Sequence, residues 1–237
     1  MERFYAPDLL STSETIELSP DESHHIIRVF RKHAGETVAI ANGDGLMATA
    51  TITGQTRKTV QCSIQSIEQI SRPEPQLQIA ISCIRPNRMD WAIEKLTELG
   101  VATIQPLICE HTSVRHFKID HSRKIAVSAM KQSGIAWLPE LREQISFSDW
   151  LAAEELQENT VRMLAHLDPS SQPVGQFCQH STQKISVAIG PEGGFSAKEI
   201  AIADAANFRF AKLDNAILRA ETAAIVAATQ IKSLFLK

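Results

Sequence analysis

The residues best placed to do chemistry form one stretch, Ile189-Gly190-Pro191-Glu192-Gly193-Gly194-Phe195-Ser196-Ala197-Lys198-Glu199. Glycine accepts positive φ and lets a ligand reach the main chain with no Cβ in the way. A loop this dense in glycine presents bare backbone donors and acceptors to whatever binds there. Its spacing is not that of a dinucleotide fingerprint, and no Gly-Lys-Ser/Thr follows, so the phosphate-cradling motifs are excluded. The bland alternative is a tight turn with no ligand. The position of the loop favours a site, because open α/β sheets bind ligands at the carboxyl ends of their strands.

The flanking elements support that position. Residues 184–189 are short, apolar and β-branched, the pattern of a buried strand. Ser196-x-x-Glu199 is a capping box, in which hydroxyl and carboxylate satisfy free N–H groups at a helix start. Two neighbouring strand ends lead into similar loops. Residues 161–167 run into Asp168-Pro169, and 208–213 are broken by Asp214-Asn215-Ala216 before a long alanine-rich helix, expected over 219–236 and opening from Ile217-Leu218. Three consecutive strand ends can therefore converge on one pocket.

Length and composition bound the rest. The chain of 237 residues is long enough for one large domain, or a small one plus a medium one, with a sizeable core. Net charge is −3, so any polyanion must be gripped by a local basic patch rather than by overall charge. The cysteines (Cys62, Cys83, Cys109, Cys178) lack C-x-x-C spacing, which points to reduced, buried thiols, with neither a metal site nor a disulfide framework. No signal region opens the sequence, and no apolar run reaches the ~18 residues of a membrane span. A soluble, cytoplasmic protein with no membrane or metal partner is expected.

Residues 1–72 are strand-like. Ser19-Pro20-Asp21-Glu22 starts a helix expected to carry residues 24–30, Asn42-Gly43-Asp44-Gly45 is a hairpin turn between strands 38–41 and 47–52, and 60–67 alternate as a half-wet strand. Such short strands form a small β-barrel. A proline-bearing linker, residues 71–75, follows. From residue 77 strands alternate with helices: strands at 77–84 and 101–108, and helices at 88–99, 120–133 and 148–156. That order implies an α/β domain over 73–237 with a largely parallel sheet covered on both faces.

Gly190-Pro191-Glu192-Gly193-Gly194, followed by Leu213-x-x-x-Ile217-Leu218-Arg219-x-Glu221-Thr222-Ala223, resembles the paired signature of SPOUT methyltransferases. The whole chain resembles the branch that methylates N3 of a uridine in small-subunit (16S) ribosomal RNA. The resemblance implies a trefoil-knotted C-terminal α/β domain, an N-terminal PUA-like β-barrel that grips RNA, S-adenosylmethionine as cofactor and a homodimer. It places the cofactor against His166, Leu167, Gly190, Glu192, Gly193, Gly194, Leu213, Asn215, Ala216, Ile217 and Leu218.

Methylation of a uridine ring nitrogen needs an acceptor for the imide proton and stabilisation of the resulting anion. Arg219 suits the second role, and Glu221, with Glu192 as an alternative, the first. The bland readings are a carboxylate placed by the helix dipole and an Arg219–Glu ion pair. Expected RNA contacts are Arg28 and Arg31 on one helix face beside His25, then Arg85, Arg88, Lys95, Arg115, Lys118 and Gln132. Arg115-His116-Phe117-Lys118 is the densest basic run and reads as a surface loop. Relatives usually carry glycine where Asp214 stands, often a basic residue at Ala216, and in many cases arginine near Ile135. An RNA-binding assembly factor without catalysis, or a SPOUT enzyme with another target such as transfer-RNA ribose, remain alternatives.

Overall fold

The computed structural model describes residues 2–154 and 158–236, which fall into two compact units. The first comprises residues 1–72 with 127–138, and the second 73–126 with 139–237.

The first unit is a five-stranded sheet of β1 (Arg3–Tyr5), β2 (Thr15–Glu17), β3 (Thr37–Ala41), β4 (Leu46–Gln55) and β5 (Val60–Gln69), in the order β1-β3-β4-β5-β2. Only the β1–β3 pair is parallel. The β3–β4 turn forms where expected. Asn42 Oδ1 accepts the N–H groups of Asp44 at 2.8 Å and Leu46 at 2.9 Å, and Gly45 sits at φ +89, where an added Cβ would strike the Trp137 ring. Alternate residues of β3 and β4, among them Val38, Ile40, Ala48, Ala50 and Ile52, fill the core with Phe4 and Leu18.

Ser19 caps α1 (Pro20–His24), accepting the Glu22 N–H at 3.3 Å. The helix then differs from expectation. Residues His25–Val29 form a π-helical turn in which Phe30 N–H reaches back to His25 O, and Arg31 lies beyond it at φ +54. Arg28 and Arg31 are both exposed, but they do not share a regular helix face, since the widened turn and the left-handed residue break the i, i+3 geometry. Residues 127–138 join this unit through Lys131 paired with Glu22, Trp137 Nε1–H donating to Ile70 O at 3.1 Å, and the Arg72 guanidinium 5.2 Å over the Trp137 ring.

The second unit is α/β with an all-parallel sheet. It contains β6 (Gln76–Ser82), α2 (Pro86–Glu98), β7 (Thr103–Ile108), β8 (Glu140–Leu141), β9 (Ile145–Ser146), α4 (Phe147–Ala153), β10 (Thr160–Ala165), β11 (Gln172–Pro173), β12 (Lys184–Ile189), α5 (Ala197–Ala205), β13 (Arg209–Lys212) and α6 (Ala220–Ser233), and α3 (Ile119–Ser133) begins in it. The order β11-β13-β10-β12-β6-β7-β8, with β9 also on β7, places β12 at the sheet centre between β10 and β6. This α/β architecture with a small N-terminal β sheet matches the expected class and is consistent with a SPOUT knot beside a PUA-like domain.

Ala80, Leu107, Leu164 and Ala188 pack with Phe147, Trp150 and Leu151 of α4 and Ala203 of α5. The intervening Ile79, Ile81 and Val187 point to the opposite face. There α6 lies on β6 and β12 and packs against α2, burying Ala223, Ala224, Ala227 and Ala228, whose small side chains permit close approach.

Some boundaries differ from the sequence reading. α4 starts at Phe147, capped by Ser146, rather than at Ser148, its last residue is Ala153, and the expected end at residue 156 lies outside the described residues. The last helix starts at Ala220, with Arg219 as N-cap, so Ile217 and Leu218 belong to the preceding loop. The two-residue strands β8, β9 and β11 were not anticipated, being too short for periodicity to register. Among the described residues, no helix is long and apolar enough to cross a membrane, and no three His, Cys, Asp or Glu side chains cluster to hold a metal.

Candidate functional site

Three strand ends meet as their loops were expected to. β12 leads into the glycine-rich loop, where Gly194 N–H closes a turn on Pro191 O at 2.8 Å and Gly194 sits at φ +71. The loop passes into α5 through a complete capping box: Ser196 N–H donates to Glu199 Oε2 at 2.8 Å and Glu199 N–H to Ser196 Oγ at 3.3 Å. The other oxygen of Glu199 accepts the Glu110 N–H at 2.9 Å, so one buried carboxylate joins this loop to the segment after β7.

The loop after β13 is shaped by Asp214, whose Oδ1 accepts the Ala216 N–H at 2.8 Å in an Asx turn. Gln230 of α6 donates to Leu213 O at 2.8 Å and anchors its start. Beyond β10, His166 N–H bonds Ala211 O at 3.0 Å, continuing the ladder one residue past the strand. Asp168 accepts both the Ser170 hydroxyl and N–H, which hold its carboxyl below the usual range.

These loops enclose a cavity of about 300 Å³. Of the residues expected to hold a ligand, His166, Leu167, Gly190, Glu192, Gly194, Leu213, Ala216, Ile217 and Leu218 line it. Two do not. Gly193 backs onto His111, and Asn215 faces a neighbouring cavity of about 540 Å³ with Gln230 and Leu234. Sequence reasoning missed Ala165, Ile189, Pro191, Phe195, Ala211, Asp214, Ala220 and Ala223. The alanines carry no chemical signal; small residues matter here because bulk would fill the space. At Gly190 a Cβ would stand 3.0 Å from the Phe195 ring, which itself packs on Phe147 with centroids 4.9 Å apart.

Charge at the rim is arranged differently from expectation. Arg88 of α2, read as an RNA contact, forms an ion pair with Glu192 and places Nε 3.5 Å from Glu221 Oε1. Glu221 is buried, and its Oε2 has no hydrogen-bond partner among the described residues. Arg219 is exposed, and its guanidinium makes no ion pair with either glutamate among the described residues. Its neighbours Leu218 and Ala220 line the cavity.

The other basic residues are distributed over both units. Arg85 is exposed at the N-cap of α2. Lys95 is held by Glu94 at 2.7 Å and Glu98 at 2.8 Å, which leaves it no free cation. Arg115 and Lys118 are exposed on an ordered loop, whereas Phe117 between them is buried and serves as its anchor, not as a stacking platform. Gln132 is exposed in the half of α3 that belongs to the first unit. Cys62, Cys83 and Cys109 are buried and Cys178 is half-buried; all are free thiols.

Comparison with known proteins agrees with this geometry. Residues 18–65 match the RNA methyltransferase PUA domain and residues 72–232 the RNA methyltransferase domain. The chain is 30% identical to Ribosomal RNA small subunit methyltransferase E of Synechocystis sp., over 93% of this chain and 73% of that protein. It is 29% identical to the protein of the same name from Rickettsia conorii, over 98% and 95%. The crystal structure of Ribosomal RNA small subunit methyltransferase E from Neisseria gonorrhoeae, bound to S-adenosyl methionine, superposes with a TM-score of 0.88 at 29% identity, covering 99% of this chain and 98% of that one. With its α/β core matched over residues 72–232 and its β unit over residues 18–65, the chain belongs to the RNA methyltransferase domain family.

Proposed function

We propose that this protein is an S-adenosylmethionine-dependent methyltransferase acting on N3 of a uridine in 16S ribosomal RNA, working in the cytoplasm as a homodimer. The observation that carries the reading is the cavity of about 300 Å³ at three adjacent strand ends, floored by small residues and walled by Leu167, Leu213, Ile217 and Leu218. That volume lies in the range of small-molecule sites. The residues fit the cofactor: Gly190 leaves room that a Cβ would take from Phe195, bare main chain faces the cavity, and the apolar walls suit the faces of a purine.

When bound, S-adenosylmethionine supplies an electrophilic methyl group. Leu167, Leu213, Ile217 and Leu218 would cover its adenosyl part and hold it in one orientation, and positioning of this kind is worth ~7–11 kcal/mol in the best cases. Glu221 accepts the imide proton, directly or through water; its Oε2 has no partner within the described fold. Arg219, permanently charged and unpaired with the glutamates, stabilises negative charge developing on uridine O2 or O4. RNA is held by Arg28 and Arg31 in the first unit and by Arg85, Arg115 and Lys118 in the second.

Calorimetry and RNA mass spectrometry test this together. Purified protein is expected to bind S-adenosylmethionine, and a strain lacking it to lose one methyl from a 16S uridine, restored by the intact gene. Absence of cofactor binding favours a purely RNA-binding assembly factor. Loss of a methyl from transfer RNA with 16S RNA unchanged moves the target elsewhere.

A further inference from the structure

Arg88, Glu192 and Glu221 form a charge cluster that reaches the cavity through Glu192. Two carboxylates share one guanidinium, so the formal charge of the cluster is −1. Glu192 lines the cavity directly, and Glu221 follows Ala220, which also lines it. Arg88 thereby ties the glycine-rich loop to the first turn of α6 and fixes both carboxylates in place. Glu221 is 5% exposed and makes no hydrogen bond at Oε2 among the described residues, so little water screens its surplus charge.

Resting on the proposed cofactor, we propose that this cluster is a specificity device that discriminates the methylated donor from the demethylated product by charge, with Arg88 as the positioning residue. S-adenosylmethionine carries a sulfonium and a net charge of +1. S-adenosylhomocysteine has the same adenosine and amino-acid parts but a neutral thioether. Glu192 and Asp214 bring carboxylates to the cavity lining, and in the resting enzyme the surplus charge of the cluster adds to them, so the first ligand is attracted more than the second and donor binding is favoured over product binding. Shape distinguishes the two ligands only through a single methyl, which an apolar site can read by roughly 10–200-fold, and the cluster adds a term that reads the sulfonium charge itself.

The test is the ratio of the two affinities, measured by calorimetry with wild-type protein and with Glu192→Gln, Glu221→Gln and Arg88→Lys. Each glutamine variant removes one negative charge while keeping the shape. The ratio is expected to move about three- to tenfold against S-adenosylmethionine, with affinity for S-adenosylhomocysteine nearly unchanged, and Arg88→Lys is expected to keep the wild-type ratio. Equal weakening of both ligands, or a ratio steady within twofold in the glutamine variants, overturns the proposal. Glu192 is half exposed, so its variant keeps the test alive if Glu221→Gln does not fold. Wild-type protein that binds neither ligand refutes the cofactor assignment instead, and the two failures are thus distinct.

Discussion

His111 Nδ1 lies 3.1 Å from the carbonyl oxygen of Gly194, and a Cβ on Gly193 would stand 3.2 Å from the His111 Cβ. The loop after β7 therefore backs the glycine-rich loop from outside, while Phe195 supports it from within. The loop's form depends on neighbours far away in sequence, and its glycines answer to different constraints.

Gly190→Ala is expected to push the Phe195 ring, which packs on Phe147 and lines the cavity. The cost is about 1–3 kcal/mol of stability, and ligand affinity at the cavity falls with it. Gly194→Ala meets no atom within 4 Å but must adopt φ +71, costing about 1–2 kcal/mol through the backbone alone. Denaturant unfolding and calorimetry separate the two: ligand affinity drops more steeply for Gly190→Ala.

Glu154 is buried among partners from three strands. It accepts from Gln78 Nε2 at 2.8 Å and Ser186 Oγ at 2.9 Å, with Lys184 Nζ 3.6 Å away, while its main-chain carbonyl receives Arg162. Glu154→Ala strands two buried donors at the centre of the sheet and is expected to cost about 3 kcal/mol. Glu154→Gln keeps one of the contacts and costs less. Urea unfolding midpoints check the order.

The basic loop is ordered by one side chain. Gln144 Oε1 accepts the Phe117 N–H at 2.8 Å and its Nε2 donates to Arg115 O at 3.0 Å. Gln144→Ala removes no charge, so RNA affinity is expected to fall severalfold with the salt dependence of binding unchanged. Arg115→Ala and Lys118→Ala each lower the slope of log K against log salt by about 0.7–0.9. Filter binding across a salt series tells the two effects apart.

Burial pushes the Cys62 and Cys83 thiols up to about 11 and the Cys109 thiol up to about 12, the last also under the Glu199 carboxylate. In the unfolded chain these groups ionise near ~8.5. Above that pH the unfolded state has released protons that the folded state still holds, so folding stability is fully present below it and declines as pH rises toward 11. Melting temperature is expected to fall between pH 8.5 and 10.5, and replacing the three by alanine or serine flattens that limb even if the midpoint at neutral pH drops.

The sequence by itself determined the local pieces. Strand 184–189, the Ser196–Glu199 capping box, the Asn42–Gly45 turn and the glycines ending α2 and α3 are written in residue type and short-range spacing, because caps and turns are satisfied by neighbours in the chain. Glycine loops at strand ends pointed to the place of the cavity, and the resemblance carried by the paired motifs named nine of its seventeen lining residues. What only the tertiary structure decided depends on distant partners. Arg88 reads as an RNA contact, and its pairing with Glu192 and Glu221 shows only when α2 is in place; Phe117 reads as part of a surface loop until it is seen buried; and the alanines of the cavity floor have no signature, since their contribution is the space they leave. Charge pairing and packing volume are properties of the assembled sheet and helices, and a one-dimensional pattern carries neither.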